Sequence, residues 1–440
     1  MGKLLAFVRG LGLIIVVIVG VVAWSKMPWP GVLVLVLGLL AWLLSTRRGR
    51  QTLSITGVGI STLRQRTGAS LVVVVGIAGV VAVLVAMLAM GEGFQSTLQQ
   101  TGSDDTAIVL RGGSNAELNS VLDRDSVNVI TQAPGVVRGA DGKPVASAEL
   151  SVVANMPKRS DPGADANVQI RGVGEQAWAL RPNVKIIAGR RFKPGLRELT
   201  VGQGAQRQFV GLELGKQLRI AGQEWTVVGE FASGDSHDSE LWGDAQTVAA
   251  AYRRGNSAQS VTVRLTSAAA FDAFKAALAS DPRLKVDVST TREYFSKQSE
   301  GLTKVIRAVG ITVGVIMAIG AIFGALNTMF AAIAAREREI ATLRAIGFRG
   351  LPVVVSVLLE TMLLALLGGL LGGLISWLIF NGYTASTLGS NFTQVVFQFK
   401  VSPQLLWLGI KWALAIGFVG GLFPALRAAR LPVTTALRES

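Results

Sequence analysis

LVVVVGIAGVVAVLVAMLAM, residues 71–90, decides the fold. Its twenty residues include no charged or polar side chain. About 20 apolar residues is what an α-helix needs to cross the hydrocarbon core of a bilayer at about 1.5 Å per residue. Similar apolar runs lie on either side. Toward the C-terminus they cover residues 305–334, 353–380 and 405–423. Toward the N-terminus a run beginning at Leu4 reaches Trp24, and a shorter one covers 32–44. Between these two stands Lys26-Met27-Pro28-Trp29-Pro30-Gly31, a turn with two prolines and a glycine. Lys3 and Arg9 ahead of an apolar core give the first run the look of a signal peptide. No small-residue cleavage site follows it, and a second apolar run comes at once, so a retained hairpin is the reading. The short second run is a tilted span or half of a tight hairpin. Five or six segments can therefore span.

Composition agrees. Of 440 residues, 50% are hydrophobic and only 16% charged, with a mean hydropathy of +0.47. The formal net charge is +15, which suits nucleic acid or an anionic membrane surface. The Lys and Arg residues gather beside the apolar runs, without the interleaved aromatics of a nucleic-acid binder, so lipid is the expected partner and nucleic acid is not. There is no cysteine, which excludes disulfides, thiolate catalysis and Cys-ligated metals.

Between the spans at 71–91 and 305–335 lie about 210 residues of soluble composition, 92–304. Gln217-Leu218-Arg219-Ile220 and Trp225-Thr226-Val227-Val228-Gly229-Glu230 alternate as strands do, and residues 268–278 carry helical spacing. The fold class expected is a membrane α-helical bundle with a large inserted α+β domain. Loop charge gives its orientation. Arg47, Arg48, Arg50, Arg64 and Arg66 precede the third span, Arg336, Arg338, Arg344 and Arg349 follow the fourth, and Arg427, Arg430 and Arg438 follow the last. The loop from Asn381 to Gln404 has one basic residue, Lys400. The positive-inside rule then makes the arginine-rich loops and both termini cytoplasmic and puts 92–304 outside. The expected parts are a hairpin at 1–46, a cytoplasmic amphipathic segment at 47–70, spans at 71–91, 305–335, 351–380 and 404–425, a cytoplasmic helix at 336–350, an outer loop at 381–403 and a tail at 426–440.

Candidate catalytic and cofactor motifs are few. No GxxxxGK[ST] loop occurs, so the chain cannot cradle nucleotide phosphates in that way. Gly57-Val58-Gly59 and Gly172-Val173-Gly174 lack a third glycine at dinucleotide-site spacing and read as turns. Asp235, His237, Asp238 and Glu240 form the one cluster with metal-ligand chemistry; with a single His in a Gly- and Ser-rich stretch, it reads as an exposed loop. No Ser-His-Asp or paired-carboxylate arrangement emerges. Catalytic, cofactor-binding and metal residues are therefore expected to be none.

Three stretches carry more information. Arg336-Glu337-Arg338-Glu339-Ile340-Ala341-Thr342-Leu343-Arg344-Ala345-Ile346-Gly347 follows the fourth span, and Glu337, Ile340, Arg344 and Gly347 can share one helical face. Leu343 and Ile346 add apolar contacts on a neighbouring face. The segment is either an amphipathic cap or a lever that a cytoplasmic partner grips. Gly368, Gly369, Gly372 and Gly373 in the fifth span make two overlapping small-xxx-small faces, for packing inside one subunit or for a dimer seam. Glu360 and Lys411 are ionisable residues inside spans; they either pair near mid-membrane, or Lys411 snorkels outward while Glu360 caps a helix contact. The third stretch is Gly421-Leu422-Phe423-Pro424-Ala425-Leu426-Arg427-Ala428-Ala429-Arg430, with Thr435-Ala436-Leu437-Arg438 after it.

These stretches, in this order, resemble the MacB/FtsX permease family, the type VII ABC fold. Ala188-Gly189-Arg190-Arg191-Phe192 and Val227-Val228-Gly229-Glu230-Phe231 look like that family's periplasmic core. The likeness runs from about Gln51 to the C-terminus; the N-terminal hairpin departs from the family's four-span plan. It implies an inner-membrane permease that works as a dimer of itself or with a paralogue. It implies cytoplasmic ABC ATPase subunits that carry ATP and Mg, with no ATPase site in this chain. Glu337, Glu339, Ile340, Leu343, Arg344 and Gly347 would then be the ATPase-coupling residues. Transport would export or extract a hydrophobic or peptide- or lipid-like substrate, with a periplasmic adaptor or lipid-linked partner. The alternative is an FtsX-like regulator that passes ATP-driven motion to a periplasmic partner and carries nothing.

Overall fold

In hydrocarbon every backbone N–H and C=O needs a partner within its own segment. The apolar runs accordingly form long helices in the computed structural model, which describes residues 2–63, 67–161, 163–389 and 392–430. Arg64, Arg66, Arg438 and the 435–438 motif lie outside the described residues. In chain order the elements begin with α1 (Gly2–Lys26), α2 (Trp29–Ser45), α3 (Arg47–Leu63) and α4 (Thr67–Thr101). A sheet-rich stretch follows: β1 (Thr106–Arg111), α5 (Arg124–Thr131), β2 (Ala146–Pro157), β3 (Asp165–Val173), α6 (Ala177–Leu180), β4 (Lys185–Gly189), β5 (Glu198–Gly202) and α7 (Gln203–Gln208). It continues with β6 (Gln217–Ile220), β7 (Gln223–Ala232), β8 (Glu240–Asp244), α8 (Ala245–Ala251), β9 (Ser260–Arg264), α9 (Phe271–Ser280) and β10 (Val286–Thr290). Last come α10 (Thr291–Ala334), α11 (Glu337–Ala345), α12 (Gly350–Phe380), the hairpin β11 (Thr384–Leu388) and β12 (Gln394–Gln398), and α13 (Pro403–Arg430).

The chain divides into two units, Met1–Ala89 with Ile306–Asn381 and Lys400–Ser440, and Met90–Val305 with Gly382–Phe399. In the first unit α4, α10, α12 and α13 are long and apolar enough to cross a membrane. Their core joins Ile77, Val81, Ala318, Ala365 and Ala413. Ile15–Lys26 and Trp29–Ser45 are bent by 117° at their break, and the pair adds a fifth candidate if it counts as one span. α2 has 17 residues, about 26 Å of helix, which is less than the hydrocarbon core of about 30 Å. α4 runs on to Thr101 and α10 starts at Thr291, so both overrun the apolar stretches at 71–91 and 305–335 that mark them.

The second unit is an α+β domain inserted between α4 and α10. Its sheet has the order β10-β1-β9-β2-β3-β8-β5-β7-β4, with β6 beside β7. Pairs β3–β8 and β5–β7 are parallel and the others antiparallel. Strand β2 serves two lobes: Ala146 to Glu149 pair with β9, and Leu150 to Pro157 pair with β3. One lobe closes over Val109, Val261, Val263 and Phe274, the other over Ile170, Leu199, Phe209, Trp225 and Leu241. The segment 381–403, expected as a plain loop, holds the β11–β12 hairpin, whose Phe397 packs on Phe94 with ring centroids 5.5 Å apart. Two stretches expected as turns are regular structure: Gly57 to Gly59 lie inside α3, and Gly172 and Val173 end β3. Gly59 and Gly172 serve close approach instead, while Gly57 and Gly174 face open space. A Cβ at Gly172 would come within 3.0 Å of the Ala245 Cα.

Candidate coupling site

α10 ends at Ala334, and the chain turns through Arg336 into α11, an amphipathic helix. Gly347 closes it with φ +110°, a conformation few L residues adopt. Ile340 and Ala341 are buried and Leu343 half-buried. Ile340 and Leu343 pack with Ile55 of α3, Met329 and Ile333 of α10, Val353 and Val357 of α12, and Ala425 and Ala428 of α13. The apolar face of α11 is thus consumed within the bundle, and Leu343 faces inward. The outward edge is Arg338, Thr342, Ala345 and Ile346, spaced to share one face, with Ile346 73% exposed. Glu337, Glu339 and Arg344 are half-buried at its margins.

Arg336 fastens the turn. Its Nε and Nη2 donate to the two carboxylate oxygens of Glu339 at 2.9 and 3.1 Å, and its Nη1 donates to Glu360 Oε2 at 3.2 Å. Gly59 of α3 lies against the same group: a Cβ there would come within 2.9 Å of Glu360 Oε2 and 3.3 Å of Arg336 Nη1. Three helices, α3, α11 and α12, therefore meet at one ion cluster. Glu360 and Lys411 are not brought together, and Lys411 does not snorkel outward. It is 7% exposed, and its Nζ donates to the carbonyls of Ser25 at 2.6 Å and Met27 at 3.3 Å, while Trp24 Nε1 donates back to the Lys411 carbonyl at 2.8 Å. A cation suits these end-of-helix carbonyls, which have no intrahelical partner. The glycine faces of α12 are both taken up inside the subunit. A Cβ at Gly368 would come within 2.8 Å of the Val74 carbonyl, and one at Gly372 would strike the Ala78 carbonyl, both on α4. On the other face a Cβ at Gly369 would come within 2.8 Å of the Ala413 Cβ, and one at Gly373 within 3.3 Å of the Leu406 side chain, both on α13.

The second unit holds a constellation that sequence reasoning missed. Asp235, His237 and Glu240, expected on an exposed loop, are 3%, 1% and 5% exposed. The cause is a buried arginine. Arg171 on β3 meets Glu117 at 2.8 Å, Glu149 at 2.9 Å and Glu240 at 2.8 Å. Arg181, just after α6, donates to both oxygens of Glu149 at 2.6 and 2.8 Å, and its Nε donates to His237 Nε2 at 3.1 Å. His237 Nδ1 lies 3.0 Å from Asp235 Oδ1. Burial pushes the Glu149 carboxyl up, but the Arg181 and Arg171 charges outweigh it and hold it at about 2. Burial likewise raises Asp235, and His237 with the Ser233 hydroxyl outweighs it, again to about 2. Among the described residues no group of three or more His, Cys, Asp or Glu side chains is set to hold a metal.

The family model for the MacB-like periplasmic core domain matches residues 70–281, and that for the FtsX-like permease C-terminal matches 311–433. The chain belongs to the MacB/FtsX-type family of ABC transporter permeases. Among curated relatives, the macrolide export ATP-binding/permease protein MacB of Vibrio parahaemolyticus is 24% identical over 405 residues, covering 86% of this chain and 58% of that protein. The protein of the same name from Bordetella avium is 25% identical over 424 residues, covering 91% and 61%. This MacB/FtsX-type chain thus spans about three-fifths of the length of those relatives. Among solved structures, the periplasmic region of MacB from Actinobacillus actinomycetemcomitans shares 14% identity with a TM-score of 0.33, over 44% of this chain and 93% of that one. The matched models divide at the insertion: the core-domain match takes in α4 and most of the second unit, and the permease match takes in the rest of α10 with α11, α12 and α13.

Proposed function

We propose that this permease couples ATP hydrolysis on a cytoplasmic ABC ATPase to movement of its α+β unit on the far side of the inner membrane. The observation that carries the reading is the two-sidedness of α11. One side is fastened to α3, α10, α12 and α13 through Ile340, Leu343 and the Arg336–Glu360 cluster, and the other offers Arg338, Thr342, Ala345 and Ile346. Force on the free edge reaches α10, which carries the chain into the α+β unit, as α4 does from the other end. ATP and Mg sit on the ATPase, since these 440 residues hold no phosphate-cradling glycine loop. The arginines of α3 and α11 support a cytoplasmic position for that edge and for both termini. Two copies, or this chain with a paralogue, work with two ATPases. The cargo is a hydrophobic or peptide- or lipid-like molecule, a class that includes the macrolides named for the relatives.

Ile346→Asp tests the reading better than a change at Leu343, because it leaves the internal cluster intact. An unpaired charge buried at a protein contact costs several kcal/mol, and about 1.4 kcal/mol is tenfold in affinity. ATPase co-purification should fall at least tenfold for Ile346→Asp and hold for Arg349→Ala, with reporter fusions at Gly234 outside and Gly350 inside. Undiminished ATPase capture by the Asp variant would refute coupling through this edge. A cytoplasmic Gly234 would overturn the orientation.

A further inference from the structure

The buried ion network lies where β2 changes partner. Glu149 is the last β2 residue paired with β9, opposite Ser260, and Leu150 is the first paired with β3. Glu117 comes from the turn Glu117–Asn119 of the first lobe, Arg171 and Glu240 from β3 and β8 of the second. Arg171 and Arg181 therefore clamp the seam between lobes. The charges do not balance: four carboxylates, Glu117, Glu149, Asp235 and Glu240, face two guanidinium groups. The surplus is negative, which disfavours an anionic ligand here and favours one more positive charge.

One group can take that charge. Arg181 Nε has only a hydrogen to give, so His237 Nε2 must present its lone pair to it. Nδ1 then carries the ring proton and donates it to Asp235. In this arrangement the imidazole is neutral. A proton added at Nε2 would set N–H against N–H and imidazolium against guanidinium, so the contact with Arg181 must break. The charged groups around the ring are Asp235 from its own turn, Arg181 from the segment after α6, Glu149 of β2 and Glu240 of β8; Trp242 and Phe295 close its sides, with ring centroids at 5.6 and 6.1 Å. Asp238, held by the Ser233 and Gly234 amides, completes the turn. Arg181 has room to leave. It lines a cavity of about 220 Å³ with Asp105, Asn183, Thr262, Arg264 and Thr291.

We propose that His237 is a proton-binding site that unlatches the two lobes of the α+β unit: protonation at Nε2 expels Arg181 from the ring, moves it toward the adjoining polar cavity and loosens its grip on Glu149. The latch does not depend on the ATPase reading; its access to the pH outside the cell rests on the orientation proposed above. The proton comes from solvent hydronium, leaving water; the Nε2–H bond is the one bond formed in the protein, and none there is broken.

His237 is the only histidine, so hydrogen exchange at the imidazole C2, read by mass spectrometry on the full chain in nanodiscs without a histidine tag, reports it alone. The rate is followed from pH 8 to 5 and should change as Nε2 takes up its proton. Over the same range, amide exchange in 177–184 and 146–150, corrected for its intrinsic pH dependence, should rise about tenfold as the latch opens. His237→Gln should abolish that rise while keeping the slow exchange seen at pH 8. The proposal fails if His237 does not titrate in that range, if it titrates while both segments keep their protection, or if the Gln variant retains the response. Should the Gln variant not fold, the two wild-type measurements still decide.

Discussion

Replacing Arg171 by Met would remove a side chain whose donors are all in use. Nε donates to Glu240 Oε2 at 2.8 Å, Nη1 to Glu117 Oε1 at 2.8 Å and to Glu149 Oε2 at 2.9 Å, and Nη2 to Glu117 Oε2 and Glu240 Oε1, both at 2.9 Å. Those are all the N–H groups a guanidinium has. Its side chain is 2% exposed, so water cannot take over. Each carboxylate keeps one other partner: Ser260 Oγ donates to Glu117 at 2.7 Å, Trp242 Nε1 to Glu240 at 2.8 Å, and Arg181 still holds Glu149. Breaking one buried pair from one side costs about 3–5 kcal/mol. One arginine serving three carboxylates should cost at least the upper figure, moderated by the partners that remain. At about 2–4 °C per kcal/mol for a domain of this size, the α+β unit should melt roughly 10–20 °C lower at pH 7.5. The loss has a pH signature. In the variant Glu240 loses the Arg171 charge that holds its carboxyl below the usual range against burial, so burial raises its folded pKa above the unfolded value. Stability is then regained as pH falls toward 5.5, because protonation removes the buried charge. Thermal unfolding of the full chain in detergent, followed by near-ultraviolet circular dichroism at both pH values, reads this out. A variant melting within about 2 °C of the parent at pH 7.5, or falling further behind at pH 5.5, would refute the reasoning.

Two further outcomes follow from the same geometry. In the parent protein Glu149 and Asp235 are both held at about 2, below the ordinary carboxylate range of about 4; the stability they supply is complete above about pH 4.5 and is lost as pH falls from there toward 2, so acid unfolding of the α+β unit should fall in that window and Glu149→Gln should flatten it. Lys411→Met should leave the Ser25 and Met27 carbonyls without their donor, so that limited proteolysis at residues 26–31 rises severalfold while the melting of the remaining helices is unchanged; protection equal to the parent's would show that α1 and α2 are held by other contacts.

The spans were legible because lipid leaves the chain few choices: an apolar run such as 71–90 can only be a helix there. Hydropathy marks only the part of a helix that is apolar all round, which is why α4 and α10 outrun it. Their continuations carry Phe94, Leu98, Tyr294 and Phe295, apolar on one side only. The β11–β12 hairpin was missed because two five-residue strands between spans look like a linker, and Gln394-Val395-Val396-Phe397-Gln398 does not alternate in polarity or burial. The ion network was missed for a different reason. Its members are scattered from Glu117 to Glu240, each reads as ordinary surface charge, and only the sheet brings them together. The one local signal is Arg171 itself, in a strand whose last six residues, Val168 to Val173, are all buried. A strand closed on both faces has no solvent side for a cation, so an arginine there requires buried acids.

The glycines of α12 show where sequence stops deciding. Small residues at positions 368, 369, 372 and 373 permit a close helix neighbour, but the spacing does not say whether that neighbour belongs to the same chain. Distance does. Gly368 and Gly372 admit α4 so closely that a methyl group would meet its carbonyl oxygens, and Gly369 and Gly373 admit α13. Neither face has room for a further helix. In its second half α12 leaves Leu367, Leu370, Leu371, Leu374, Ile375, Trp377, Leu378 and Ile379 exposed. That face is bulky and apolar, without the notch that lets two backbones approach. Lipid, or the side chains of a second copy, can cover it without displacing α4 or α13. Dimerisation through α12 would therefore be side chain against side chain, while the glycines keep their work inside the subunit.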